Sequence, residues 1–342
     1  MRLTHRALLP FALLLAAAVV IPAQEAEVAY LEGFPELKTS GGSSYELDFG
    51  DLVESGDSVI TGPTDYAELE RGAGNTIRVN ENTVFTLQQV EREGRTETVL
   101  QNTVGSVSYR FNQVTGREPR IGTASAVAGV RGTELTVYAG DDGTSLFAVD
   151  SGLVEVEAEG RTVSLAENEA VEVVAGQAPG EKFEWLGEEL DFSSWNQERL
   201  DAFLEEPLEG LARIEERLNY FGDEMSRAVG EYESAQAELD AARAEVEELR
   251  ADGESEAANQ AVEDKVRPAM RQASTLVLNY RYYALSALSM RRYVLGKLYM
   301  QMKTRYILDV DNPVFADFLQ AYRQVVDDFE REIAPQLVEA DI

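Results

Sequence analysis

Arg131 stands inside the run Ala126-Val127-Ala128-Gly129-Val130-Arg131-Gly132-Thr133-Glu134, where the residues before it are small or aliphatic. A planar guanidinium presented from such surroundings suits an anionic ligand, because its fixed fork of donors matches a carboxylate or phosphate. Gly132, Thr133 and Glu134 complete the candidate motif. The same residues also fit a structural role. Arg131 would then be partly buried and paired with a carboxylate such as Glu134, holding two strands in register. The structural role weighs more, since buried arginines are normally paired. The small neighbours would then permit close strand packing.

The rest of the chain narrows the chemistry further. There is no cysteine, and the single histidine, His5, lies in a segment read below as a removed leader. That excludes disulfides, cysteine nucleophiles, Ser-His-Asp triads and any zinc or iron site held by His or Cys. Carboxylates, hydroxyls, Lys and Arg remain. Asp141-Asp142-Gly143-Thr144 and Asp309-Val310-Asp311-Asn312 have some character of calcium loops, but lack the repeated acids and distant Glu of a helix-loop-helix site. The first reads as a hairpin turn and the second as a helix stop and cap. Paired carboxylates could hydrolyse a glycoside. With 62 Asp and Glu in the chain, though, some pair is expected by chance and none is marked out. Tyr280, Tyr282, Tyr283, Tyr293, Tyr299 and Tyr306 read as packing residues with wet hydroxyls. No catalytic residue, cofactor or metal ligand is assigned, and the expectation is a non-enzyme. A net charge of −32 disfavours nucleic acid and anionic membrane surfaces as partners.

The elements that would position these residues fall into three parts. Arg2, His5 and Arg6 precede the apolar run Ala7–Ile21 and then Pro22-Ala23, the pattern of a secretory signal peptide over residues 1–23. As a helix the run is about 22 Å long, short of a hydrocarbon core of ~30 Å. The protein is therefore expected to be exported, periplasmic or on the cell surface, with no stable membrane span after signal removal. An uncleaved anchor is the alternative. Residues 24–180 read as an all-β domain. Turn residues at Gly132, Gly143, Gly152, Gly160, Asn168 and Gly176 recur every 8 to 11 positions. Val154, Val156 and Ala158 alternate with Glu155, Glu157 and Glu159, the period of a strand with one dry and one wet face. Similar strand–turn lengths favour a solenoid or roll over a sandwich.

Residues 181–195 read as a linker, and residues 196–342 as a helical hairpin plus a C-terminal helix. From Leu211 to Leu249 twelve seam positions recur every 3.5 residues on average, which is a coiled-coil seam with charged flanks. Gly253 marks the tip. A second seam runs from Val262 to Val294, with a kink or restart expected at Pro268. Asn312 should cap, and Pro313 open, the last helix. The fold class is thus α+β as separate domains. The arm is longer than a β-domain needs for support, so a protein partner or a second copy is expected along it; a self-sufficient hairpin that acts as a spacer satisfies the seam equally.

The AVAGVRGTE run, the DGT turn at Asp142–Thr144 and Gly152-Leu153-Val154 resemble the FecR-type extracytoplasmic domain of the bacterial envelope. The resemblance covers roughly residues 45–178, with Gly56-Asp57, Thr61-Gly62, Thr76-Ile77-Arg78-Val79 and Val104-Gly105-Ser106-Val107 in the family's order. Asn168 departs from it, standing where the family usually has Gly. Asn tolerates a left-handed turn, so the turn should survive. The resemblance implies an interaction or binding protein of the envelope. Family members known for iron-siderophore signalling place an anti-sigma segment before a membrane helix. No such segment is expected here, since the apolar run already begins at Ala7. An anchored periplasmic signalling component is the first alternative. The second is a carboxylate-dependent polysaccharide hydrolase.

Overall fold

The computed structural model describes residues 25–72, 74–92, 94–112, 119–186 and 190–339. The expected signal peptide lies outside the described residues. Short runs of alternating apolar and polar residues form strands β1 (Ala26–Glu32), β2 (Glu36–Lys38), β3 (Ser44–Glu46), β4 (Leu52–Val53), β5 (Ser58–Ile60), β6 (Tyr66–Arg71) and β7 (Asn75–Val79). Longer ones follow in β8 (Val84–Arg92), β9 (Arg95–Arg110), β10 (Arg120–Gly122), β11 (Val127–Ala139) and β12 (Ser145–Ala158). The series ends with β13 (Arg161–Leu165), β14 (Glu169–Val173) and β15 (Phe183–Glu184). All join one 15-stranded sheet, with the order β15-β14-β12-β11-β10-β9-β7-β6-β1-β4 along its main path. The pairs are antiparallel except β9 with β10.

The long strands change partners along their length. The first part of β9 lies beside β8 and β10, and its last part beside β7 and β11. β12 meets β14 with its first part and β13 with its second. Strands that serve two partners in succession must bend, and the bent sheet wraps around one core. Leu69, Ile77, Phe85, Leu100, Tyr109, Leu135, Phe147 and Val154 are buried there together.

Bulges make the bends. The β11–β12 register shifts between Arg131 and Glu134. There Gly132 has φ +54° and Gly152 φ +92°. A Cβ on Gly152 would lie 2.4 Å from the Gly132 carbonyl oxygen. Only glycine fits so close an approach at positive φ. Asn168, at φ +62°, keeps the turn between β13 and β14 as expected.

The chain then becomes helical, in α1 (Phe192–Glu205), α2 (Pro207–Ala251), α3 (Ser255–Ala261), α4 (Arg267–Ser289), α5 (Gly296–Arg305), α6 (Pro313–Asp328) and α7 (Ala334–Glu339). Three π-helical turns, Val262–Val266, Met290–Leu295 and Phe329–Ile333, join α3 to α4, α4 to α5 and α6 to α7. Pro268 sits in the first turn of α4, directly after the first π turn. Asn312 caps α6, its side chain accepting from Val314 N at 3.0 Å, and Pro313 opens that helix. Residues 181–195 hold β15 and the start of α1 as well as the connection between them.

The Leu211–Leu249 seam closes within the chain. Of its twelve positions all but Tyr232 and Leu249 are buried, and Val246 packs with Ala258 and Ala261 beyond the tip. The base of the hairpin also packs on the sheet. Val84, Val104, Ala124 and Ala175 share a core with Leu211, Ile214, Tyr280 and Val294. Arg217 Nε donates to the Ala124 carbonyl at 2.9 Å, and Glu91 N to Asn279 Oδ1 at 2.6 Å.

Valine at Gly132, from strain at positive φ, or at Gly152, from that strain plus the backbone clash, should destabilise the chain by about 3 kcal/mol. Gly129→Ala, on the same strand with open space at its Cβ, should cost little. Chemical denaturation of the three variants checks this, and equal losses in all three would refute the bend as the cause.

Candidate functional site

On the outer face of the sheet one line of residues crosses five strands. Glu68, Arg78, Ser108, Thr136 and Ala148 stand in register on β6, β7, β9, β11 and β12. Ser106 and Tyr138 pair in the next outward row. Period-two alternation sends the bulky neighbours Val79, Val107 and Val137 into the core and leaves these residues outside. Short hydroxyl side chains at the centre keep the face low. Ser108 Oγ and Thr136 Oγ1 lie 3.0 Å apart, and Asn80 Nδ2 donates to Ser106 Oγ at 3.1 Å.

The helical unit turns this face into a groove of about 1500 Å³. Its second wall is Arg292, Tyr293, Gly296, Lys297 and Met300, from the second π turn and α5. One end is closed by aromatic rings. Tyr138 lies 6.4 Å from Trp185 and 6.3 Å, stacked, from Phe192. At the other end Tyr66 donates to Glu68 at 3.2 Å, and burial followed by the Glu68 charge pushes its hydroxyl up to about 12. Arg78 is paired with Glu68 at 2.9 Å and Lys297 with Asp141 at 3.5 Å. The Arg292 guanidinium stacks 5.3 Å from the Tyr293 ring. Burial raises the Tyr293 hydroxyl pKa, and Arg292 opposes that rise.

Most of the groove's carboxylates are already occupied. Asp65 accepts from Phe34 N and Gly62 N at 3.0 and 2.7 Å, fixing two turns. Asp191 caps α1 by accepting from Ser193 N, Ser194 N and Ser194 Oγ, bonds that hold its pKa down. Asp141 accepts from Asn196 Nδ2 at 3.0 Å. Asp150 differs. Partial burial and then the nearby Glu134 charge raise its pKa, while a hydrogen bond from Trp185 partly offsets them. Among the described residues no group of three or more His, Cys, Asp or Glu is placed to hold a metal ion.

The residues singled out in the sequence lie elsewhere. Arg131 is exposed on the β11 bulge and has no ion pair among the described residues. Glu134, its expected partner, is paired with Arg110 at 2.7 Å. The bulge explains the difference, because it places the two residues on either side of a register shift. Thr133 holds the corner instead. It is buried, and its Oγ1 accepts from Arg131 N at 3.0 Å and donates to the Leu153 carbonyl at 3.1 Å. Asp142 and Gly143 form the expected hairpin turn, with Asp142 accepting from Thr144 N and Thr144 Oγ1. The groove residues Arg78, Ser108, Thr136 and Trp185 were not singled out, and Tyr293 was read only as packing. Their one signal in the sequence is small or polar residues at outward positions of otherwise apolar strands. Only the topology brings them together.

Two outcomes follow for stability. Arg131→Ala should leave the unfolding free energy within about 0.5 kcal/mol of wild type. Thr133→Val should cost about 1–3 kcal/mol, since it leaves buried backbone groups unpaired. Urea titration separates the two, and a large loss in Arg131→Ala alone would reverse the assignment. A third outcome concerns Asp150. Its raised pKa means the native chain holds this proton more tightly than the unfolded one, so its contribution to stability is lost as pH rises through the raised value. Asp150→Asn, which can still accept from Trp185, should therefore gain on wild type near neutral pH and lose that advantage below the ordinary carboxylate range. A difference independent of pH would exclude this effect.

Residues 57–177 match the family described as FecR protein. No curated protein matches the chain. Two crystal structures, at 1.65 and 2.50 Å, of a protein of Parabacteroides distasonis ATCC 8503 assigned as an anti-sigma factor are similar to it at 17% and 18% identity. Each comparison covers 37% of this chain and 59% of the solved one, with a TM-score of 0.31. The chain thus spans less than two thirds of the length of those solved chains. The segment from Asp57 to Gln177, which contains the β11–β12 bulge and the floor of the groove, is a FecR-type domain.

Proposed function

We propose that the protein is an exported, non-enzymatic FecR-type binding component of the bacterial envelope, and that it engages its partner in the groove between sheet and helices. The observation that carries this reading is the groove itself: an open, polar surface of about 1500 Å³ built by two units that share a core. The occupied carboxylates support binding over hydrolysis. Asp65, Asp141 and Asp191, three of the six acids that line the groove, already serve turns, a cap and an interdomain contact, which withdraws them from the acid–base work of glycoside hydrolysis. The helical arm supports partner binding less directly. Its seam is filled by its own hairpin, so a second copy or another protein would have to dock on its charged outer faces.

The FecR match also favours a second reading, a signalling component held at the envelope by an uncleaved N-terminal anchor. Among the described residues no helix is long and apolar enough to cross a membrane. Cell fractionation with intact-mass measurement separates the two readings. A soluble extracytoplasmic species beginning near Gln24 supports the first, and a membrane-held species beginning at Met1 supports the second.

Binding in the groove is tested by a photo-activatable cross-linker placed at Tyr293 in living cells. A covalent adduct at Tyr293, absent when the cross-linker sits at Glu238 on the arm's solvated face, is the expected result. Equal labelling at both positions, or none at Tyr293, would overturn the placement of the site.

A further inference from the structure

The proposed binding role leaves the ligand open, and the groove's chemistry narrows it. Its size argues against a compact metabolite. About 1500 Å³ exceeds the roughly 300–1000 Å³ of an ordinary small-molecule pocket. The ligand is therefore extended. A peptide strand would normally dock by adding to a free sheet edge, where backbone groups await partners. Here the floor offers none, because β7, β9 and β11 are each hydrogen-bonded on both sides. Recognition must come from side chains alone.

The charges weigh against a polyanion. Arg78 is neutralised by Glu68 and Lys297 by Asp141, and the remaining cation, Arg292, shares the lining with Glu32, Glu81 and Asp150 in a chain of net charge −32. What remains is a set of short hydroxyls at Ser108 and Thr136, the amide of Asn80, and half-buried rings at Tyr293 and Trp185. Flat aromatic faces beside planar polar groups and hydroxyls suit a molecule with apolar C–H patches and many hydroxyls. The helical wall carries an independent mark. Tyr293 projects from one of three π-helical turns among the described residues, a local departure frequent at functional sites.

We propose that the groove binds an uncharged, extended polyhydroxylated chain, an oligosaccharide of several sugar units. This rests on the reading of the groove as a binding surface. The side chains bind and orient the sugar; no bond is made or broken.

The test uses the mature full chain with three neutral hexasaccharides, of N-acetylglucosamine, of α-linked glucose and of β-linked glucose, and with polygalacturonate as the anionic control. Binding is followed by calorimetry and by tryptophan fluorescence, to which Trp185 at the groove should respond. Saturable binding of at least one neutral hexasaccharide is expected, unchanged between about 50 and about 500 mM salt. Tyr293→Ala and Ser108→Leu should each weaken it about tenfold or more, and Tyr293→Phe, which keeps the ring, should retain most of it. Thermal melts of the variants guard against misfolding. Failure of all three neutral sugars to bind, salt-sensitive binding of the polyanion alone, or affinity unmoved in Tyr293→Ala and Ser108→Leu would each overturn the proposal. If the cross-linker at Tyr293 captures a protein while no sugar binds, the groove stands as an interface and the sugar assignment falls.

Discussion

Everything in this molecule depends on a close approach of two backbones. At the β11–β12 corner Gly152 lies so near the Gly132 carbonyl that no side chain could be placed between them. That contact, with Thr133 bonding both ways across the bulge, lets two long strands turn together and serve two sets of neighbours. A straight sheet of these strands would leave one apolar face bare. Bent, it buries Leu135, Val149 and Val154 in one core. The cost is local strain in a few residues, and the gain is burial worth roughly 25 cal/mol for each Å² of apolar surface removed from water. The AVAGVRGTE run is best understood as the sequence of a corner.

The same bend decides what lies outside. Once the large side chains of β7, β9 and β11 point inward, alternation leaves Arg78, Ser108 and Thr136 on the surface in one line. Hydroxyls that small would make a plain solvent face if nothing stood over them. The helices stand over them because Val84, Val104, Ala124 and Ala175 give the hairpin an apolar seat on the sheet. The π turn at Met290–Leu295 then divides the labour of its own residues. Arg291 faces the third π turn, bonding Glu330 at 3.2 Å and stacking 5.1 Å from Phe329. Tyr293 and Arg292 face the groove.

Much of this was legible in the sequence, and the reasons for the rest are physical. The division into strands and helices follows from periodicity, which is local: Val154, Val156 and Ala158 are buried, and the Leu211–Leu249 seam is dry at ten of its twelve positions. Single-residue chemistry was also readable. Asn312 caps, Asn168 takes its left-handed turn, and Asp142 makes a hairpin. The Arg131–Glu134 pair was misread because a bulge changes which side chains are neighbours, and a bulge shows in sequence only as another glycine. The seam was legible with its partner too, because the Gly253 tip and the second seam predict a hairpin, and Val246 packs with Ala258 and Ala261 across that tip. The groove was not legible at all. Ser108 and Tyr293 carry no mutual signal, and they face each other only through sheet order and docking of the hairpin.

The distribution of charge supplies the last step. With a net charge of −32, a molecule that left its acids free around an open groove would repel any anion and attract any cation without discrimination. Instead several of the acids at the groove are tied into the fold. Asp65 fixes turns, Asp191 caps a helix, and Glu68 and Asp141 neutralise the adjacent Arg78 and Lys297. The excess negative charge sits on solvated surfaces such as the outer faces of α2, where it favours solubility. The floor is thereby left with hydroxyls, an amide and aromatic rings, whose interactions are short-ranged and directional. A surface of that kind discriminates by shape and hydrogen-bond geometry, interactions that salt screens little.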